Sequence, residues 1–196
     1  MKTVTYTITK NSYEYNELSS KAKETAKEKY LESKEAWEFE YMVKEDLNCI
    51  FPNSNLSVQF SLSYRQGDGL NIYGELSKQD CLHIAKQFDF SEKEIKRLDF
   101  YLDYCSCELP ENRSDCYCIA DQIELDSYDL ESCYHFRSID WNLIERFDDI
   151  VKNTFKQLCK QYEEEGYDFF YECSDEEMEE MASINEWVFD EYGFID

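Results

Sequence analysis

The chain has 196 residues and sets 44 Asp and Glu against 20 Lys and Arg, a formal net charge of −24. That field repels phosphate, so nucleic acid and anionic bilayers are poor direct ligands and a basic protein surface is the natural counterpart. Hydrophobic residues at 42% and aromatics at 16% supply a core and exclude a disordered acidic polymer, and the length suits a single domain.

Thr3, Thr5, Thr7 and Thr9 alternate with Val4, Tyr6 and Ile8, the period of a half-buried strand. From Leu18 the pattern turns helical, with Ser19 or Ser20 as cap and Ala22, Ala26 and Tyr30 at four-residue spacing. This helix is expected to break near Ser33 and to continue through Trp37, Tyr41 and Leu47 before Pro52 and Asn53 close the unit. Val58, Phe60, Leu62 and Tyr64 then share one face of a strand, and Leu70 to Leu76 resumes it, giving a hairpin over 57–76 turned at Gly67, Asp68 and Gly69. Ser77 opens a short helix carrying Cys81, Leu82, Ala85 and Phe88. Ser91 with Glu94 forms a capping box for the next, carrying Ile95, Leu98 and Leu102.

Pro110 and Asn112 mark 104–114 as a loop, and 116–125 and 133–139 read as two further strands. From Asp140 to Glu165 the spacing of Leu143, Ile144, Phe147, Val151, Phe155, Leu158 and Tyr162 specifies a long amphipathic helix. Ser174 and Glu177 make a second capping box, opening a last helix through Met178, Met181, Ile184 and Trp187. With no linker or repeat, residues 1–196 are expected to form one α+β domain. Its sheet is small and mostly antiparallel, and the first helix and the 140–165 helix pack across it. No stretch reaches the roughly 20 apolar residues of a membrane span, and the N-terminus lacks a signal-peptide apolar block, so a cytoplasmic location is expected.

Three segments, ELSSKAKETAKEKY, SYRQGDGLNIYGEL and SDEEMEEMASINEWVFDEYG, together with Tyr134 and His135, resemble a family of small phage and prophage proteins. In that family a similar helix leads to a QGDG hairpin, a strand with a Tyr-His pair and an acidic ending. The resemblance runs over most of the chain and implies a mobile-element origin. Members are largely uncharacterised and some carry an antitoxin-like label, so the implied roles are anti-defence, including inhibition of CRISPR effectors, or toxin neutralisation.

Four constellations carry chemistry. Gln66, Gly67, Asp68 and Gly69 form either a ligand-presenting loop or a hairpin turn in which glycines supply positive φ. Asp68 and His135 could pair as acid and base in a small hydrolase or nuclease if their strands meet, whereas His83 reads as structural. Cys105, Cys107, Cys116 and Cys118 make two CxC pairs. Four such thiolates could enclose zinc, but CxxC is the usual knuckle, and with nine cysteines and no secretion signal reduced thiols are the plainer reading. Otherwise no cofactor is implied.

The fourth constellation is acidic. Residues 161–196 hold fourteen Asp or Glu and no Lys or Arg, including Glu163, Glu164, Glu165, Asp175, Glu176, Glu177, Glu179 and Glu180. These carboxylates read either as a solvated helix face or as a phosphate mimic that fills a basic groove. The aromatics among them either pack the last helix, as expected for Val188, Phe189, Tyr192 and Phe194, or anchor an interface. The reading that follows is a mobile-element protein that inhibits a host nucleic-acid-handling system, most concretely a CRISPR nuclease, by binding its basic surface. The alternatives are an antitoxin for a basic toxin, or a hydrolase using Asp68 and His135.

Overall fold

The structure, a computed structural model, describes residues 11–112, 116–126 and 139–195. The strand expected at residues 3–9 lies outside these, as does the strand expected at 133–139 except Ile139. The described elements are α1 (Ser20–Ser33), α2 (Ala36–Ile50), β1 (Asn55–Ser61), β2 (Gly69–Leu76), α3 (Lys78–Gln87), α4 (Glu92–Tyr101), β3 (Ser106–Leu109), β4 (Glu124–Asp126), α5 (Trp141–Tyr171) and α6 (Asp175–Ile184). Short 3₁₀ turns lie at Tyr15–Glu17 and Ala120–Gln122. The fold is α+β, as expected, with a small antiparallel sheet and helices. Contacts along the chain fall into two compact units, one made of Met1–Glu35 with Tyr167–Asp196 and the other of Ala36–Gly166.

In the Ala36–Gly166 unit the sheet runs β1-β2-β3-β4, every neighbour antiparallel. The hairpin register runs from Asn55 opposite Glu75 to Ser61 opposite Gly69. Leu56 and Val58 alternate inward on β1, Leu70 and Ile72 on β2, and Cys107 and Leu109 on β3. Helices α2 and α5 each bring a buried stripe to this unit's core. On α2 the buried stripe is Phe39, Val43 and Leu47, while Trp37 and Tyr41 are 64% and 61% exposed. Of the three residues through which the helix was expected to continue, Leu47 therefore joins the core and Trp37 and Tyr41 do not. On α5, Leu143, Ile144, Phe147, Val151, Phe155, Cys159, Tyr162 and Gly166 form one continuous buried stripe, and Phe155 stacks on Phe51 at 5.3 Å.

The expected loop over 104–114 contains β3, which pairs Cys107 with Leu76 and Leu109 with Gly74. Four alternating residues next to Pro110 are too short a pattern to separate from a loop. Conversely, most of 116–125 is irregular, and only Glu124–Asp126 joins the sheet. Side chains stand in for a ladder there. Buried Asn71 donates to the Pro110 carbonyl at 3.0 Å and accepts from the Ile119 N–H at 3.1 Å, while Asn112 exchanges bonds with Gln59 and donates to the Tyr117 carbonyl at 3.1 Å.

In the other unit, Ser19 caps α1 through the Ala22 N–H, and the buried Ala22 and Ala26 give the helix a flat face. That face joins one cluster with Tyr15, Leu18, Met178, Ala182 and Phe189. Phe189 exchanges both backbone hydrogen bonds with Tyr13 at 2.9 Å, and its ring meets Tyr15 edge-on at 6.1 Å. Of the bent first helix expected on the sheet, the second half, α2, meets β1, and the first half, α1, packs with α6. Of the tail residues expected to pack, Phe189 is buried, whereas Val188, Tyr192 and Phe194 are exposed. Among the described residues no helix is long and apolar enough to cross a membrane.

Candidate functional site

The QGDG loop closes on its own aspartate. The Asp68 carboxylate accepts from the Arg65 N–H at 2.6 Å, the Ser63 N–H at 2.7 Å and the Ser61 hydroxyl at 2.8 Å, with the Ser63 hydroxyl at 3.3 Å. The Arg65 N–H above all, helped by the donors of Ser61 and Ser63, holds Asp68 below the usual carboxylate range against burial, which opposes them more than any single serine helps. Tyr64 takes φ 58° and Gly67 φ 90° to make the turn. Gly69 has a different duty, for a Cβ there would stand 2.8 Å from the Cα of Tyr117. The close approach that the glycine permits is made by this chain's own Cys116–Cys118 segment. Gln66 is exposed.

His135 lies outside the described residues, so its relation to Asp68 is not part of this geometry. The acidic neighbour of Asp68 is Glu163 of α5, whose carboxyl is pushed up first by burial and then by the charges of Glu164 and Asp68. His83 is exposed on α3, its Nε2 2.8 Å from the Gln87 amide nitrogen one turn on.

The CxC cysteines do not act as one set. Cys107 is buried and its thiol hydrogen-bonds Cys81 of α3, whereas Cys118 hydrogen-bonds Cys159 of α5. Alternation sends Cys107 inward on β3 while the loop carries Cys118 to a helix, so each thiol meets a distant cysteine. Among the described residues no group of three or more His, Cys, Asp or Glu is arranged to hold a metal ion.

The two acidic runs belong to different units. Glu163, Glu164 and Glu165 end the α5 portion of the Ala36–Gly166 unit, with Glu163 half-buried, Glu164 3.5 Å from Lys160 and Glu165 accepting from Gln161 at 2.8 Å. The second run forms the first turns of α6. Ser174 caps this helix by accepting from the Glu177 N–H at 3.0 Å, and Met178 and Ala182 anchor it. Instead of closing the capping box, Glu177 turns to Lys34 at 3.5 Å. Lys34 is itself nearly buried, lying over the rings of Tyr30 and Phe169 and donating to the Phe169 carbonyl at 2.8 Å. Asp175 pairs with Lys27 and accepts from the Tyr15 hydroxyl at 2.9 Å. The Lys27 hydrogen bond, then that of Tyr15, holds Asp175 below the usual range.

Among the described residues, the run with no base along the chain therefore pairs in space with Lys27 of α1 and with Lys34 just past its end. Glu176, Glu179 and Glu180 of this run have no ion pair among the described residues, and Glu179 is met only by the neutral Asn16 amide. Glu176 and Glu180 are exposed and carry no ion pair or hydrogen bond among the described residues, and Ile184, one turn further along the same stripe, is 68% exposed. Beside it a cleft of about 360 Å³ is lined by Glu14, Asn16, Glu179, Glu186, Trp187 and Val188, with Glu179 reached by the Asn16 amide at 3.5 Å. Sequence reading missed Lys27, Lys34 and Tyr15 as parts of this face, because their pairing with α6 spans more than 140 residues and leaves no local signal. No family model, curated protein or solved structure compared with the chain matches it.

Proposed function

We propose that the chain is a mobile-element inhibitor, acting in the host cytoplasm, that occupies the basic nucleic-acid groove of a host defence nuclease, most concretely a CRISPR effector. One observation carries this reading: α6 displays Glu176, Glu180 and Ile184 as a single exposed stripe on a helix fixed at its cap and its core face. Fixed carboxylates cost little to order on binding, and an apolar residue at the end of the stripe gives a protein partner, unlike free polycation, something to desolvate. The mechanism is electrostatic occlusion and needs no catalysis. A hydrolytic role for Asp68 has less support, since the carboxylate is already engaged by the donors of its own loop.

The test is inhibition and capture of candidate effectors with wild type, Glu176→Lys/Glu180→Lys and Ile184→Ser. Wild-type affinity is expected to fall about tenfold between roughly 50 and 200 mM salt, and the double reversal to abolish inhibition with an unchanged circular dichroism spectrum. Full inhibition by the double reversal overturns the proposal. Capture of a basic toxin in place of a nuclease assigns the same face to an antitoxin.

A further inference from the structure

Two cysteine pairs are built into the Ala36–Gly166 unit, and they differ in one respect. Cys81 and Cys107 are 1% and 2% exposed, sealed between α3 and β3. In the second pair Cys159 is 1% exposed on α5, but Cys118 is half-buried on the irregular segment held over Gly69. The Cys118 sulfur accepts from the Ala120 N–H at 3.5 Å and from the Cys159 thiol. Lys156, one turn before Cys159, pairs with Asp121 at 3.1 Å, and the charges of both reach the same sulfur.

We propose that Cys118 and Cys159 form a thiol–disulfide exchange site whose co-reactant is a small-molecule disulfide of the glutathione class. Cys118 is the attacking thiolate. Its sulfur bonds to one sulfur of the oxidant, the oxidant's S–S bond breaks, and one half leaves as thiolate. Cys159 then gives up its proton to solvent and attacks the Cys118 sulfur, expelling the second half. Two protein thiols lose two electrons, and one external disulfide becomes two thiols.

The surroundings suit these roles. The Cys159 hydrogen bond, the Ala120 N–H and Lys156 favour the Cys118 thiolate against burial and Asp121, and bring its pKa down to about 7. Cys159 is pushed upward by its bond to Cys118, by burial, by the charge on Cys118 and more weakly by Glu163. It stays a thiol until a mixed disulfide at Cys118 removes that charge. The buried Cys81 and Cys107 have the same partner chemistry without access, and serve as an internal contrast.

The experiment titrates the reduced protein with oxidised glutathione, traps at acid pH and maps cysteine peptides by mass spectrometry. A Cys118–Cys159 linked peptide is expected, with no glutathione retained on either, whereas Cys159→Ala keeps one glutathionyl group on Cys118. Iodoacetamide at pH 7 is expected to label Cys118 roughly five- to tenfold faster than the exposed Cys49. Persistent glutathionylation of wild-type Cys118 without the linked peptide overturns the site, and so does labelling of Cys118 no faster than Cys49. Both of these readouts use the unaltered protein, so they decide the matter even if the variant fails to fold.

Discussion

Asp80 sits 2% exposed at the start of α3, with no ion pair among the described residues. Its carboxylate accepts from the Asn53 N–H at 2.9 Å, the Asn53 amide at 3.0 Å, the Ser54 hydroxyl at 2.6 Å and the Ser77 hydroxyl at 3.1 Å. Burial pushes this group up, but the donors of Ser54, Asn53 and Ser77 together outweigh it and hold the carboxyl below its usual range. One side chain thereby ties the turn after α2 to the cap of α3. Replacing it with Ala strands several buried donors, and Asp80→Ala is expected to cost about 2–4 kcal/mol, read as a lower urea midpoint with unchanged slope. Asp80→Asn is expected to cost less, since its amide keeps one acceptor oxygen. The sequence marks Ser77 as a cap but gives no sign of Asp80's wider role, because its partners Asn53 and Ser54 lie 27 and 26 residues away.

At the scale of elements, the long helix shows pattern and packing in competition. Gly166 lies in α5, where helix propensity favours Ala by about 1 kcal/mol. Yet a Cβ there would stand 2.3 Å from Leu62 Cδ1 and 2.8 Å from Phe39 Cζ, both buried side chains that cannot swing into solvent. Overpacking of this kind costs roughly 1–3 kcal/mol. Gly166→Ala is therefore expected to lower stability by about 1–2 kcal/mol, and Leu62→Ala in the same background to recover part of that loss in a double-mutant cycle. A net gain for Gly166→Ala would mean that the α2, α5 and hairpin surfaces are looser than described. Helices were legible from spacing and caps: Ser19, Ser77, Ser91 and Ser174 all accept from the expected first-turn N–H. Strand β3 and the irregular 116–123 segment were not, since a short strand is defined by its neighbours and a loop here is held by Asn71, Asn112 and Gln59.

For the whole molecule, a charge of −24 makes pH and salt the main variables. Lowering pH from neutral first relieves carboxylate repulsion and lets Glu163, whose folded value is raised, take up its proton, so stability rises. Asp68, Asp80 and Asp175 act oppositely. Their folded values lie below their unfolded ones, so their contributions are present above about pH 4 and are lost as pH falls through the folded values. At the alkaline end, burial and then the Asp175 bond raise Tyr15, whose contribution is present below about pH 10 and lost above it. Thermal melts are expected to peak near about pH 5, drop steeply below 4 and decline again beyond 10. Added salt at pH 7 should raise the melting temperature, and a flat response would show that the acids are already compensated.

The sequence by itself determined the α+β class, the helix starts and serine caps, the β1-β2 hairpin and the sign of the charge, because each is written in local spacing or simple composition, whereas α5 runs six residues past its expected end and α6 stops at Ile184, short of Trp187. Tertiary structure alone decided which groups meet. It sent Cys107 to Cys81 and Cys118 to Cys159, turned Asp68 into the clasp of its own loop, and brought Lys27 of α1 and Lys34 at its C-cap to Asp175 and Glu177. Charge density along a chain is not charge density in space. Folding gave Asp175 and Glu177 of the base-free 161–196 segment cationic partners and set Glu176, Glu180 and Ile184 along one exposed stripe, because ion pairs form between whatever surfaces the hydrophobic core brings together.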